Sequence, residues 1–253
     1  MKAAVLYEVG KPLVVEDVEL DDPKTGEVKV RIVANGVCHS DYSIVNGVIR
    51  SPLPMVPGHE GAGGVEAVGP NVSLVSVGDP VVLSLAPYCG HCFYCAIGKP
   101  NLCVNMFQTM VKAGMTDGTC RLKKNGKDLH HMAGISSFAE YAIVAEQACI
   151  RVPETVPLEK VCLIGCGVMT GVGAAINTAA VEPGSSVVVV GCGGVGLNVI
   201  QGCVLAGAST IIGVDLLDNK LEYARQFGAT HTLNPERDEL VRSVRKLPEG
   251  RGA

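Results

Sequence analysis

The run Val187-Val188-Val189-Val190-Gly191-Cys192-Gly193-Gly194-Val195-Gly196 decides the fold. Four β-branched residues read as a buried strand. The residues from Gly191 to Gly196 then match G-x-G-x-x-G, with Gly194 and Val195 inside the motif. An apolar helix-like run follows, then a second strand, Ile211-Ile212-Gly213-Val214, closed by Asp215 nineteen residues after Gly196. In that order the glycines let the backbone turn sharply towards a pyrophosphate, whose charge the helix N-terminus stabilises. Asp215 is expected to bond the adenosine ribose hydroxyls and to repel a 2′-phosphate, which favours NAD over NADP. Lys220 is a further candidate for the ribose. Asp218 is expected to cap a helix that places Leu221, Ala224 and Phe227 on one face and ends at Gly228. From Pro183 to Val214 no residue is charged, a length that would span a bilayer. A membrane helix has no use for a glycine cluster after its first apolar quartet, so strand, turn, helix and strand is the better reading.

The 253 residues suffice for one large domain or two modest ones. With 47% hydrophobic residues, 18% charged and a mean hydropathy of +0.31, the chain can bury a substantial core. A net charge of -4 with scattered Lys and Arg gives no footprint for nucleic acid or an anionic membrane. The start, MKAAVLYEVG, lacks a basic segment followed by an apolar one, so a cytoplasmic protein is expected.

Eleven cysteines without a secretory signal point to metal or catalysis rather than disulfides. Cys89, Cys92, Cys95 and Cys103 lie in CGHCFYCAIGKPNLC, where four thiolates can close a tetrahedron around one structural zinc with no corner left for water. An iron–sulfur cluster is the other chemistry that four thiolates serve. A second set is dispersed. Cys38 follows a strand-like Val28–Val33 and an expected turn at Asn35-Gly36; His59 and Glu60 stand in PGHEG; Cys166 ends LIGC. Two Cys and one His make a three-ligand zinc site with an open fourth position. Asp41 and Glu60 are the carboxylates expected to fix the His59 tautomer and moderate the charge.

These motifs, with DGT, GKDLHHMAGISSFAEYAIV, PLEKVCLIGCGVMTGVGAA and IIGVDLLDNKLEYARQFGATHTLNP, resemble the zinc-dependent medium-chain alcohol dehydrogenases, in the branch holding class I and class III enzymes. The resemblance covers essentially the whole chain. It implies a GroES-like, β-rich catalytic domain over 1–170, and over 171–253 the first half only of a Rossmann dinucleotide-binding domain. It also implies two zinc ions per chain, NAD, and a homodimer for the full-length protein. Catalytic zinc would sit on Cys38, His59 and Cys166, with Glu60 in its near shell, and structural zinc on Cys89, Cys92, Cys95 and Cys103. Ser40 would accept the substrate proton. Asp215 and Lys220 would hold the adenosine ribose, and His39 would lie near the pyrophosphate.

The reaction implied is oxidation of a primary alcohol to its aldehyde, and the reverse, with the ion as Lewis acid and the nicotinamide as hydride acceptor. Many relatives end the proton relay at a histidine three residues after the serine. Ser43 stands there in this chain, so a slower or differently buffered proton exit is expected. His39 in place of arginine should hold pyrophosphate less tightly and release cofactor faster. Phe107 falls in the stretch where glutathione-dependent formaldehyde dehydrogenases carry an arginine. A medium-chain or aryl alcohol is therefore preferred over S-(hydroxymethyl)glutathione, with Leu85 lining the pocket. Only three strands of a six-stranded dinucleotide fold can be counted, at 187–190, 211–214 and 231–233. That leaves open a chain that binds zinc without transferring hydride, and a zinc-free enoyl reductase relative is a third reading. Cys120, Cys149, Cys162, Cys192, Cys203, His130 and His131 read as packed structural residues.

Overall fold

The computed structural model describes residues 1–247. These divide into two compact units, the first spanning Met1–Cys166 and the second beginning at Gly167.

The first unit is built mainly on antiparallel pairing, with one parallel pair where Met55 and Val56 lie beside His130 and His131. A five-stranded sheet runs in the order Tyr141–Ala145, Glu27–Gly36, Glu60–Val68, Pro80–Leu83 and Cys149–Arg151. A four-stranded sheet runs Glu19–Leu20, Leu122–Lys124, Lys127–His131 and Met55–Val56, and Lys2–Val5 pairs with Val14–Asp17. The strands are rich in valine because a β-branched side chain packs well on a pleated, half-buried surface. Val28, Val30, Val81 and Val144 are fully buried in the main core, with Leu83 and Ile135 beside them. Each such side chain contributes about 1.5–3 kcal/mol through removal from water.

One expectation is corrected here. Asn35-Gly36 is a frequent turn dipeptide, yet both residues continue the strand, with Asn35 opposite Gly61 and Gly36 opposite Glu60. The long antiparallel ladder to Glu60–Val68 overrides the local turn preference.

A buried ion pair fastens the 117–121 loop to this sheet. Arg121, only 1% exposed, donates from Nε to Glu27 Oε2 at 2.9 Å and from Nη2 to Glu27 Oε1 at 2.5 Å. It also reaches Asp117 at 2.8 Å, while its backbone N–H donates to His131 Nε2 at 3.0 Å. His131 is buried, its Nδ1 has no partner among the described residues, and burial followed by the nearby Arg121 charge pushes its pKa down from 6.5 to about 3. The neutral ring is therefore the one the fold accepts, and it serves as acceptor for Arg121. A depressed folded pKa gives stability that is complete above pH 6.5 and lost as pH falls towards 3. We expect unfolding free energy to drop by on the order of 1 kcal/mol per pH unit across that window. In His131→Gln the same urea-denaturation series should be flatter; an unchanged slope would refute this.

The second unit is a parallel sheet ordered Ser186–Val190, Thr210–Val214, His231–Leu233, three strands among the described residues. Helices Gly194–Leu205 and Asp218–Gln226 connect them, and Ile200, Ile211 and Ala224 meet in the buried core. The glycine-rich stretch is thus strand, turn and helix, and no single helix among the described residues is long and apolar enough to cross a membrane. Asp218 does not cap its helix: it is the first helical residue after Leu217, and its carboxylate pairs with Arg237. The other end matches expectation, since Gly228 at φ +113° donates to Arg225 O and Ala229 donates to Ala224 O, closing the last turn.

Candidate metal centres and nucleotide loop

Cys38, His59, Glu60 and Cys166 bring one ligand atom each to a common point, all within 4.8 Å of one another. Three local structures deliver them. Cys38 is the N-cap of helix His39–Val45, where its Sγ accepts from Ser40 N–H at 3.5 Å and Asp41 closes the capping box through Cys38 N–H at 2.9 Å. His59 immediately precedes the strand that Glu60 opens opposite Gly36. Cys166 follows the short 3-10 helix Cys162–Gly165.

Asp41 is the organiser of this group. It is 2% exposed, and its Oδ1 lies 3.0 Å from Gly58 N and 3.2 Å from His59 Nδ1. Accepting from Nδ1 leaves His59 Nε2 free to face a cation, the arrangement by which carboxylates orient metal-binding imidazoles. Burial opposes a charge on His59, but the bonds to Asp41 and Cys166 outweigh it and hold the ring proton up to about 11. A cation at Nε2 would take the place of that proton. Burial likewise opposes ionisation of Cys38, yet the Ser40 bonds and His59 carry its pKa below the ordinary thiol value. Two soft thiolates, one imidazole and one carboxylate are donors suited to zinc. Of the two carboxylates expected to steer His59, Asp41 does so; Glu60 stands among the donors themselves.

The second cluster is local. Cys89, Cys92, Cys95 and Cys103 also lie with their sulfurs within 4.8 Å of one another. Cys92 Sγ is 3.5 Å from Cys95 Sγ and 4.0 Å from Cys103 Sγ. A tetrahedron with metal–sulfur bonds of about 2.3 Å has edges of about 3.8 Å, so the spacing suits a single ion. A cluster of several irons would hold its ligand sulfurs farther apart. Backbone amides donate to these sulfurs, Cys92 N–H to Cys89 Sγ at 3.4 Å and Cys89 N–H to Cys103 Sγ at 3.3 Å. Bonds from the Cys95 and Val104 amides lower Cys92 to about 6, whereas burial and the neighbouring Cys92 sulfur raise Cys95 to about 11. Burial opposes ionisation of Cys103, yet backbone amides lower it too, so the Cys95 proton is the one a cation would have to displace.

In the second unit, Gly191 turns at φ +91° and a β-carbon on Gly196 would overlap Gly191 O, so the helix can sit against the turn only without a side chain there. Side chains built at Gly193 and Gly194 would meet nothing within 4 Å, which leaves the backbone approachable. Gly193 caps the helix without a side-chain bond, so the first N–H groups are open to an anion. Asp215 accepts from Cys192 N–H at 2.8 Å and Leu217 N–H at 3.0 Å. Burial opposes its charge, but backbone amides and the Lys220 charge hold its carboxyl below the usual range, as an acceptor suited to a diol. Lys220 Nζ stands 4.0 Å from Asp215.

Residues 24–154 match the family described as the alcohol dehydrogenase GroES-like domain, and residues 194–253 that described as zinc-binding dehydrogenase. The chain belongs to the zinc-dependent medium-chain alcohol dehydrogenases. Among solved structures it resembles an alcohol dehydrogenase zinc-binding domain protein from Burkholderia ambifaria, with 42% identity, a TM-score of 0.93, and coverage of 97% of this chain and 67% of that one. It also resembles benzyl alcohol dehydrogenase from Acinetobacter calcoaceticus, at 38% identity and TM-score 0.92, covering 98% and 67% of the two chains. An NAD-dependent alcohol dehydrogenase matches at 31% identity and TM-score 0.82, over 100% of this chain and 69% of that one.

The remaining candidates of this dehydrogenase are less tightly held. Ser40 is half-buried beside Cys38. His39 is exposed, with Nδ1 3.3 Å from the buried Ser43 hydroxyl, an imidazole contact that the sequence did not disclose. Leu85 is partly buried against two core clusters, and Phe107 is 64% exposed on helix Val104–Lys112. Sequence reasoning missed Gly36, because Asn-Gly signals a turn and nothing local announces the strand.

Proposed function

We propose that this dehydrogenase oxidises a primary alcohol, medium-chain or aryl, to its aldehyde, and catalyses the reverse, with NAD and two zinc ions per chain. The observation that carries the reading is the meeting of Cys38, His59 and Cys166, with Asp41 behind His59. Those three side chains would hold the catalytic zinc, and the four-cysteine loop the structural one. When bound, zinc supplies Lewis acidity that eases loss of the alcohol proton near neutral pH, and the nicotinamide supplies the hydride acceptor.

The chain's own residues do the rest. Asp41 fixes the His59 tautomer. Ser40, next to Cys38 in half-buried surroundings, accepts the substrate proton and passes it outward. Ser43 cannot act as a base near neutrality, so the relay ends in solvent rather than on that side chain. Gly191–Gly196 and the helix they open bind the pyrophosphate, while Asp215 and Lys220 bind the adenosine ribose. The benzyl alcohol dehydrogenase likeness supports an aryl substrate.

The test is initial-rate measurement with benzyl alcohol, hexanol and S-(hydroxymethyl)glutathione, each with NAD and NADP. Benzyl alcohol or hexanol with NAD should be fastest. Faster turnover of the glutathione adduct would overturn the substrate class, and retention of zinc without any turnover would reduce the chain to a metal-binding role. In Asp215→Ser the NAD-over-NADP preference should fall at least about tenfold, because about 1.4 kcal/mol of lost discrimination is that factor. An unchanged preference would remove Asp215 from cofactor selection.

A further inference from the structure

Gly36 is the last residue of strand Glu27–Gly36 and stands in register with Glu60, the first residue of its neighbour. Both are buried. A β-carbon on Gly36 would overlap Glu60 Oε2, come 3.1 Å from Glu60 Cβ, and approach Leu163 Cδ2 to 2.6 Å. The Glu60 side chain therefore lies folded across Gly36, in space that any other residue would fill. Gly36 is not in the left-handed region, so its lack of a side chain is needed for room rather than for backbone conformation. From that slot the carboxylate stays within 4.8 Å of the Cys38, His59 and Cys166 donors.

We propose that Gly36 is a positioning residue: its absent side chain is the slot that seats the Glu60 carboxylate beside the three donors, and so sets the affinity of that centre for a divalent cation. The inference rests on reading Cys38, His59 and Cys166 as a metal site. A carboxylate at this distance adds to the negative field a cation meets, and Glu60 itself is 3% exposed, so water screens it weakly. An alanine methyl at residue 36 would push the carboxylate away from the position where that attraction acts.

The experiment is cobalt(II) titration of the metal-stripped full chain, followed by thiolate-to-cobalt absorption and chelator competition, with the four-cysteine loop as internal reference. Gly36→Ala should weaken cobalt binding at the Cys38 centre about 10–100-fold, the range typical when a supporting group around a metal is disturbed, and shift the absorption of that centre alone. In a Glu60→Ala background the same Gly36→Ala change should cost less than about twofold, since the group it displaces is gone. Equal losses in both backgrounds would assign the effect to Leu163 or strand packing and overturn the proposal. Gly36→Ala/Leu163→Ala, read against Leu163→Ala, removes that second contact; recovery of wild-type affinity there would also overturn it. If Gly36→Ala fails to fold while Gly36→Ala/Glu60→Ala folds, the two residues are coupled as proposed. If both fail to fold, the strand rather than the carboxylate needs glycine, and the proposal is wrong. Wild type that takes up cobalt only in the four-cysteine loop overturns the metal-site reading itself. Wild type that fills both centres, with equal losses in both backgrounds, overturns only the role of Gly36.

Discussion

Alanine at His59 is expected to lower zinc content by about one ion per chain and to cripple alcohol oxidation. The imidazole is the one nitrogen in that donor set, and Asp41 fixes it at 3.2 Å. A bound Lewis acid contributes several kcal/mol to such a step. At about 1.4 kcal/mol per factor of ten, its loss slows turnover on the order of a thousandfold or more. Metal analysis by mass spectrometry alongside rate measurement checks both halves. Asp41→Asn should be milder, weakening metal affinity about 10–100-fold while keeping all three donors. Two ions and normal turnover in His59→Ala would remove this centre from the chemistry.

Truncating Glu27 to alanine should cost about 3–5 kcal/mol of stability, because it strands a guanidinium in the interior. Arg121 is 1% exposed and Glu27 supplies both of its parallel acceptors; Asp117, the remaining carboxylate, is itself 42% exposed at the side chain. Lys24 N–H also loses its acceptor, Glu27 Oε2 at 2.9 Å. Urea denaturation monitored within the first unit should show the midpoint fall, and Glu27→Gln should recover part of it. Replacing both partners by methionine should be less harmful than removing one, since no charge is then left alone. A loss below about 1 kcal/mol in Glu27→Ala would mean that water reaches Arg121.

What could be read in advance was what the chain spells out locally. The turn at Gly191–Gly196 is dictated by residues within one motif, and the four-cysteine loop by spacing within fifteen positions. Cys38, His59 and Cys166 could be read only because each sits in a recognisable neighbourhood; their convergence is a property of the five-stranded sheet. Three features had no local signal. Gly36 looks like a turn and is a strand residue whose missing side chain accommodates a partner 24 positions away. Arg121 looks like a surface charge until Glu27, 94 positions earlier, is brought against it. Asp218 has the chemistry of a cap and uses it on Arg237 instead. In each case the deciding contact is tertiary, and propensity is a weak prior against it.

The two donor sets also differ in how much chain each must close. Cys89 to Cys103 spans a short loop, so bringing its four sulfurs together costs little chain entropy. Cys38 and Cys166 are 128 positions apart and meet only after the ladder between Glu27–Gly36 and Glu60–Val68 has zipped. On the proposed two-zinc reading, the loop donors need only their own segment to be in place, whereas the dispersed donors need the folded ladder before they can share an ion.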